Sequence, residues 1–164
     1  MSIRGSSGLA MATVMVALAS GAGVESMAED ASSENLVGLI IHSTQGWGEL
    51  GVDVAAHAPG TYAMPLRIKD KLYKSGLGTH APSEITLVLD GQYLTFAAEA
   101  GVQWQGADIG SVVMQIFVDN RLVFDSGVLR ETSDPLPVSV DVTGAQELRL
   151  GGERRRRSNQ QRPR

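Results

Sequence analysis

Two tryptophans, three histidines and a scatter of carboxylates are the residues of this chain that could do chemistry. Trp104 lies in Gln103-Trp-Gln-Gly106, an indole flanked by amides. Sugars present apolar C–H faces that stack on aromatic rings and hydroxyl rims that need planar polar partners. Trp104, with Gln103 and Gln105 beside it, therefore reads as a carbohydrate contact or, equally, as a loop indole tucked under the sheet edge. Trp47, between Gly46 and Gly48, offers a second stacking surface. Packing at one end of the fold competes with that role, because an indole buries a large area. His80 follows the Gly78-Thr79 turn and reads either as a ligand-binding or loop-fixing imidazole or, with equal weight, as a satisfied structural histidine. A general base is the third option, but no nucleophile pairs with it in the sequence. His42 and His57 have no metal-ligand spacing with each other or with His80. With no cysteine, disulfide and thiolate chemistry are excluded. A hydrolase would need a nucleophile with its base, or two carboxylates facing one cleft, and the spacing nominates neither.

Short strands must position these groups. Leu36 to Ile41 is the first candidate, followed by a long loop to Gly60 that carries Trp47. Met64 to Tyr73 divides into two short strands around Lys69-Asp70. Gly76 and Gly78 suit tight backbone, or backbone close to other chain. Ile85 to Leu89 is β-branched and apolar, and Asp90-Gly91 can take the positive φ angles of a type I′ turn. A hairpin with the return strand Tyr93 to Ala100 is the expectation, with Phe96 on the core face. Ser111 to Val118 is the longest strand candidate, turning at Asp119-Asn120 into Arg121 to Asp125. Pro135 and Pro137 interrupt the chain before Val138 to Val142, and Leu148 to Leu150 begins a last strand. This spacing, without a helical period, favours an all-β sandwich.

The ordered motifs Gly76-Leu-Gly-Thr-His-Ala-Pro-Ser-Glu-Ile85, Leu89-Asp-Gly-Gln-Tyr93, Gly101-Val-Gln103, Gly110-Ser-Val-Val113, Asp125-Ser-Gly-Val128, Val140-Asp-Val-Thr-Gly-Ala145 and Glu147-Leu-Arg-Leu150 resemble the NPCBM family. These are carbohydrate-binding modules often appended to secreted glycosidases. The resemblance covers residues 36 to 150. It implies a jelly-roll type β-sandwich that binds glycans, galactose-like ones among them, without catalysis. It also implies a glycosidase partner, here on another chain, and raises a structural calcium, for which Asp53, Asp70, Asp108 and Asp119 could supply oxygens. The competing reading is the same sandwich as a structural or protein-interaction module at a cell surface, without the sugar site. Loss of glycan retention on replacing Trp104 separates the two.

Charge is unevenly spread. Residues 29 to 150 hold sixteen acidic residues against seven basic ones, which disfavours a nucleic-acid partner. Residues 1–28 read as an export signal: Arg4 supplies the positive start and Leu9 to Ala19 the apolar run, with cleavage expected after Ala19, Ala22 or Ala28. After cleavage no membrane attachment is expected. Residues 29–35 form a polar stub. Six of the fourteen basic residues crowd the last eleven positions. Where the family continues close to Val-Val-x-Asp-Ala-Gly-Asp-Gly-Ile-x-x-Asp-His, residues 151–164 form a basic tail. Read one base later, its codons allow Val-Val-Asn-Asp-Ala-Gly-Asp-x-Ile-Asn-Asn-Asp-His. The expectation is a frameshift just after Leu150, a last strand cut short, and a less stable domain with weakened sugar binding. A frame-restored chain should then melt at a higher temperature than this one.

Overall fold

The computed structural model describes the backbone of Met11–Ala19, and residues 36–105 and 110–154. Within them run β1 (Met11–Ala19), β2 (Ile40–Gln45), β3 (Gly51–Val52), β4 (Leu66–Ile68), β5 (Lys71–Tyr73), β6 (Leu77–His80), β7 (Ser83–Val88), β8 (Thr95–Val102), β9 (Ser111–Val118), β10 (Arg121–Arg130), β11 (Leu136–Asp141) and β12 (Glu147–Arg154). One antiparallel sheet has the order β11-β8-β1-β6-β3 and a second β10-β9-β12-β7-β2, with β4-β5 as a separate ribbon. The expected all-β sandwich is what forms.

Alternation explains the layering. Along β9, Val112, Met114, Ile116 and Val118 are buried, and along β11 Val138 and Val140 are buried, as period-two strands with one inward face require. These side chains join Phe96, Ala100 and Val102 of β8 with Ile85 and Leu87 of β7 and Leu148 and Leu150 of β12 in one core between the sheets. Burying each larger apolar side chain is worth about 1.5–3 kcal/mol. Phe96 is fully buried, on the expected face.

Two sequence expectations change. The Asp90-Gly91 turn forms with both φ angles positive, at 49° and 68°, and the Gln92 N–H closes it on the Leu89 carbonyl at 3.0 Å. The flanking strands are nevertheless not a hairpin. β7 pairs with β2 and β12, while β8 pairs with β1 and β11 in the other sheet. The turn's amides are consumed elsewhere: Leu89 N–H donates to the Gln146 carbonyl at 2.7 Å and Gly91 N–H to the Ala145 carbonyl at 2.8 Å. With both edges of β7 occupied, the chain crosses the sandwich at this turn. The other expected hairpin is genuine, with β9 and β10 pairing around Asp119 (φ 46°) and Asn120 (φ 66°).

The last strand is also longer than expected. β12 runs to Arg154 and is paired on both sides, Gly152 standing opposite Ser83 of β7 and Met114 of β9. Residues 155–164, the rest of the basic tail, lie outside the described residues. So do residues 1–10 and 20–35 of the expected leader and stub. The apolar run of that leader contributes β1, seated between β6 and β8.

Candidate functional site

β6 and β8 run in the same direction on either side of β1. His80 stands opposite Met11, and Val102 opposite Ala12. The ends of β6 and β8 thus lie on one rim of the sandwich, two strand spacings or about 10 Å apart. The chain elements leaving this rim carry both tryptophans.

Trp47 sits on the loop after β2. Gly46 N–H donates to the His80 carbonyl at 2.9 Å, and the Gln45 side-chain amide donates to the Gly48 carbonyl at 3.1 Å. The Gln45 side-chain oxygen in turn accepts from Thr79 Oγ1 and from His80 N–H, each at 3.2 Å. This pins the loop to β6. Gly48 turns with φ 72°, and its Cα faces the His57 carbonyl so closely that a Cβ would stand 2.6 Å from it. The indole rests edge-on against the His80 imidazole, with centroids 5.8 Å apart, and stays 43% exposed.

His80 itself is fully buried beneath Trp47. Of the two rings, the indole is the one open to solvent, and the imidazole lies beneath it.

Trp104 lies two residues past β8. Its backbone N–H donates to the Arg67 carbonyl at 2.8 Å, and the Arg67 guanidinium stacks 4.0 Å from the centre of its ring. A cation over an indole face adds attraction and stiffness. The guanidinium is held from its other side, its Nε donating to the Lys69 carbonyl at 2.7 Å, with Asp70 at 3.6 Å. The indole remains 37% exposed.

Gln103 and Gln105 divide in role. Gln103 is buried, its side-chain oxygen accepting from Arg67 N–H and its amide donating to the Pro65 carbonyl, both at 3.0 Å. It fastens the end of β8 to the start of β4. Gln105 is exposed, and its backbone N–H donates to the buried Glu131 carboxylate. Of the four expected contact residues, Trp104 and Gln105 face solvent, while His80 and Gln103 support from below. Arg67 is the participant that sequence reasoning missed. Its strand pattern, a charged residue between Leu66 and Ile68, marked it only as an outward position.

Beside this rim, Lys71 Nζ donates to Glu99 Oε2 at 2.6 Å, and Tyr73 Oη donates to the same oxygen at 2.6 Å. The hydrogen bond from Lys71, then that from Tyr73, holds the Glu99 carboxyl below its ordinary value of 4.5, against the opposing effect of burial. Burial and the bond to Glu99 push the Tyr73 phenol up.

The opposite rim carries an open depression of about 450 Å³ between Asp119, Arg121, Asp141 and Thr143, with no aromatic side chain lining it. Among the described residues, no group of three or more His, Asp or Glu side chains is arranged to hold a metal ion. The oxygens suggested for calcium have other work. Asp53 Oδ1 accepts from Gly76 N–H at 3.0 Å, and Asp119 Oδ1 accepts from the N–H groups of Gln146 and Glu147 at 3.0 and 2.9 Å. Asp108 lies outside the described residues.

A family model described as the NPCBM/NEW2 domain matches residues 36–162. Three solved structures from Clostridium perfringens are similar. The CBM51 of a GH95 protein, in complex with methyl-galactose, is 26% identical with a TM-score of 0.64, covering 70% of this chain and 81% of that one. The M60 catalytic domain of ZmpB with its CBM51-1 and CBM51-2 domains is 31% identical with a TM-score of 0.62, covering 73% of this chain and 13% of that one. CBM51-2 of ZmpB in complex with GlcNAc, with INT domains, is 23% identical with a TM-score of 0.66, covering 74% and 27%. The present chain spans about a quarter of the length of that last structure. No curated protein matches.

Proposed function

The chain belongs to the NPCBM/NEW2 domain family, and on that footing we propose that it is a non-catalytic carbohydrate-binding module. The observation that carries the proposal is a pair of half-exposed indoles on one rim, each braced from behind: Trp47 by His80 and Trp104 by Arg67. Braced aromatic faces suit the apolar faces of sugar rings, and Gln105 and Arg67 supply planar donors for hydroxyls. Galactosides are the first ligand class to test, because a similar CBM51 was solved with methyl-galactose. An N-acetylglucosaminide is the second. Export through residues 1–28, followed by action beside a glycosidase on another chain, fits the apolar leader-like run and the multidomain relative.

The experiment is affinity electrophoresis and calorimetry of the full chain against galactoside- and N-acetylglucosaminide-bearing glycans. Trp104→Ala should weaken binding at least about tenfold, a loss of ~1.4 kcal/mol, with its melting temperature within a few degrees of the parent. Retention of full affinity by both Trp104→Ala and Trp47→Ala would move the function to a protein partner.

A further inference from the structure

We propose that the gap between β6 and β8 is a strand-acceptor site, and that Met11–Ala19, the run that also reads as an export signal's apolar core, is its occupant in this chain. The topology carries the argument. In the first sheet nothing but β1 joins β6 to β8 among the described residues. Eight of its positions, Ala12 to Ala19, pair with Val102 to Thr95 of β8, and four, Met11 to Val14, pair with His80 to Leu77 of β6. Val14 stands in register with both Leu77 and Ala100, and Leu18 with Phe96, so the strand pairs with buried positions of β6 and β8. Without it, the sheet parts into β11-β8 and β6-β3, each with an unpaired inner edge. An exposed edge of that kind recruits any extended strand that fits it.

The segment suits the task. Met-Ala-Thr-Val-Met-Val-Ala-Leu-Ala has no charge, no proline and no glycine, and its Thr13, Val14 and Val16 are β-branched. A short apolar run satisfies the demands of a leader and of a fully buried strand alike, which is why periodicity does not separate them. Cleavage after Ala19, Ala22 or Ala28 would sever this strand from the domain. The module would then keep the severed segment by pairing alone. The inference is independent of sugar binding.

The test uses the full chain, made without export, with a site-specific protease sequence inserted between Glu29 and Asn35. Before cleavage, hydrogen exchange read by mass spectrometry should show the amides of residues 11–19 slowed at least about a hundredfold relative to the free peptide. After cleavage, the N-terminal fragment should co-elute with the domain, and a labelled peptide of residues 9–21 should exchange into it. The same peptide carrying Val14→Pro and Val16→Pro should not, since proline cannot donate to a ladder. Free-peptide exchange rates in the intact chain overturn the proposal. So does release of the fragment with no change in melting temperature, or equal uptake of the proline peptide.

Discussion

At the scale of single residues, the candidate site works by bracing. Trp104 is held by its own backbone N–H to the Arg67 carbonyl and by the Arg67 guanidinium, while buried Gln103 locks the strand end beneath it. Their neighbour Glu99 gives this region a pH signature. Its folded-state pKa lies below the ordinary 4.5, because Lys71 and Tyr73 donate to the ionised form. The folded state therefore holds this proton less readily than the unfolded chain does. The stability it contributes is present above pH 4.5 and is lost as pH falls below that value toward the folded-state pKa. Thermal melts of Glu99→Gln should show a smaller drop in melting temperature between about pH 6 and about pH 3 than the parent chain. The exposure of two of the four candidate contacts was legible in the sequence. An indole between two amides is a local pattern, and Trp104 and Gln105 are exposed as it suggested. The sequence left His80 open between a ligand contact and a structural histidine, and packing under the Trp47 loop decided for burial; that Gln103 is a buried support was not legible, because the Pro65–Arg67 backbone that covers it is distant in sequence.

Among elements, the close approaches of backbone decide what is tolerated. A Cβ on Gly78 would stand 2.3 Å from the Val54 carbonyl oxygen and 2.7 Å from Ala55 Cα, both backbone atoms that cannot turn aside. Gly78→Ala should destabilise the domain by about 1–3 kcal/mol in urea unfolding. The β9-β10 hairpin depends on Asn120 at φ 66°. A β-branched side chain is strained there, so Asn120→Val should cost about 1–2 kcal/mol by the same measurement. The hairpins show how far local reading reaches. Turn chemistry at Asp90-Gly91 and at Asp119-Asn120 is alike, yet one turn joins paired strands and the other carries the chain between sheets. A turn sets the local backbone angles. Which strands then pair depends on the edges that β2, β12, β1 and β11 have already taken.

At the scale of the whole molecule, the described residues are built on one main core between two sheets, so its stability is shared. Phe96, fully buried between strands of both sheets, should cost about 3–5 kcal/mol when replaced by Ala. Against a typical total of about 5–15 kcal/mol, that loss should appear as a single cooperative transition at markedly lower temperature in calorimetry. The alternating apolar residues of β9 and β11, the glycines at tight approaches and the exposed indole among amides are properties of short stretches of chain. The sequence by itself therefore determined the all-β class, most strand positions, the family and the exposure of Trp104 and Gln105. Tertiary structure alone decided that the Asp90-Gly91 turn is a crossover, that His80 and Gln103 lie under the rim, that Arg67 backs Trp104, and that the leader-like run stands as a central strand. Each of those outcomes depends on pairing or packing between residues far apart in the chain, and spacing along a sequence holds no record of which distant partner will arrive.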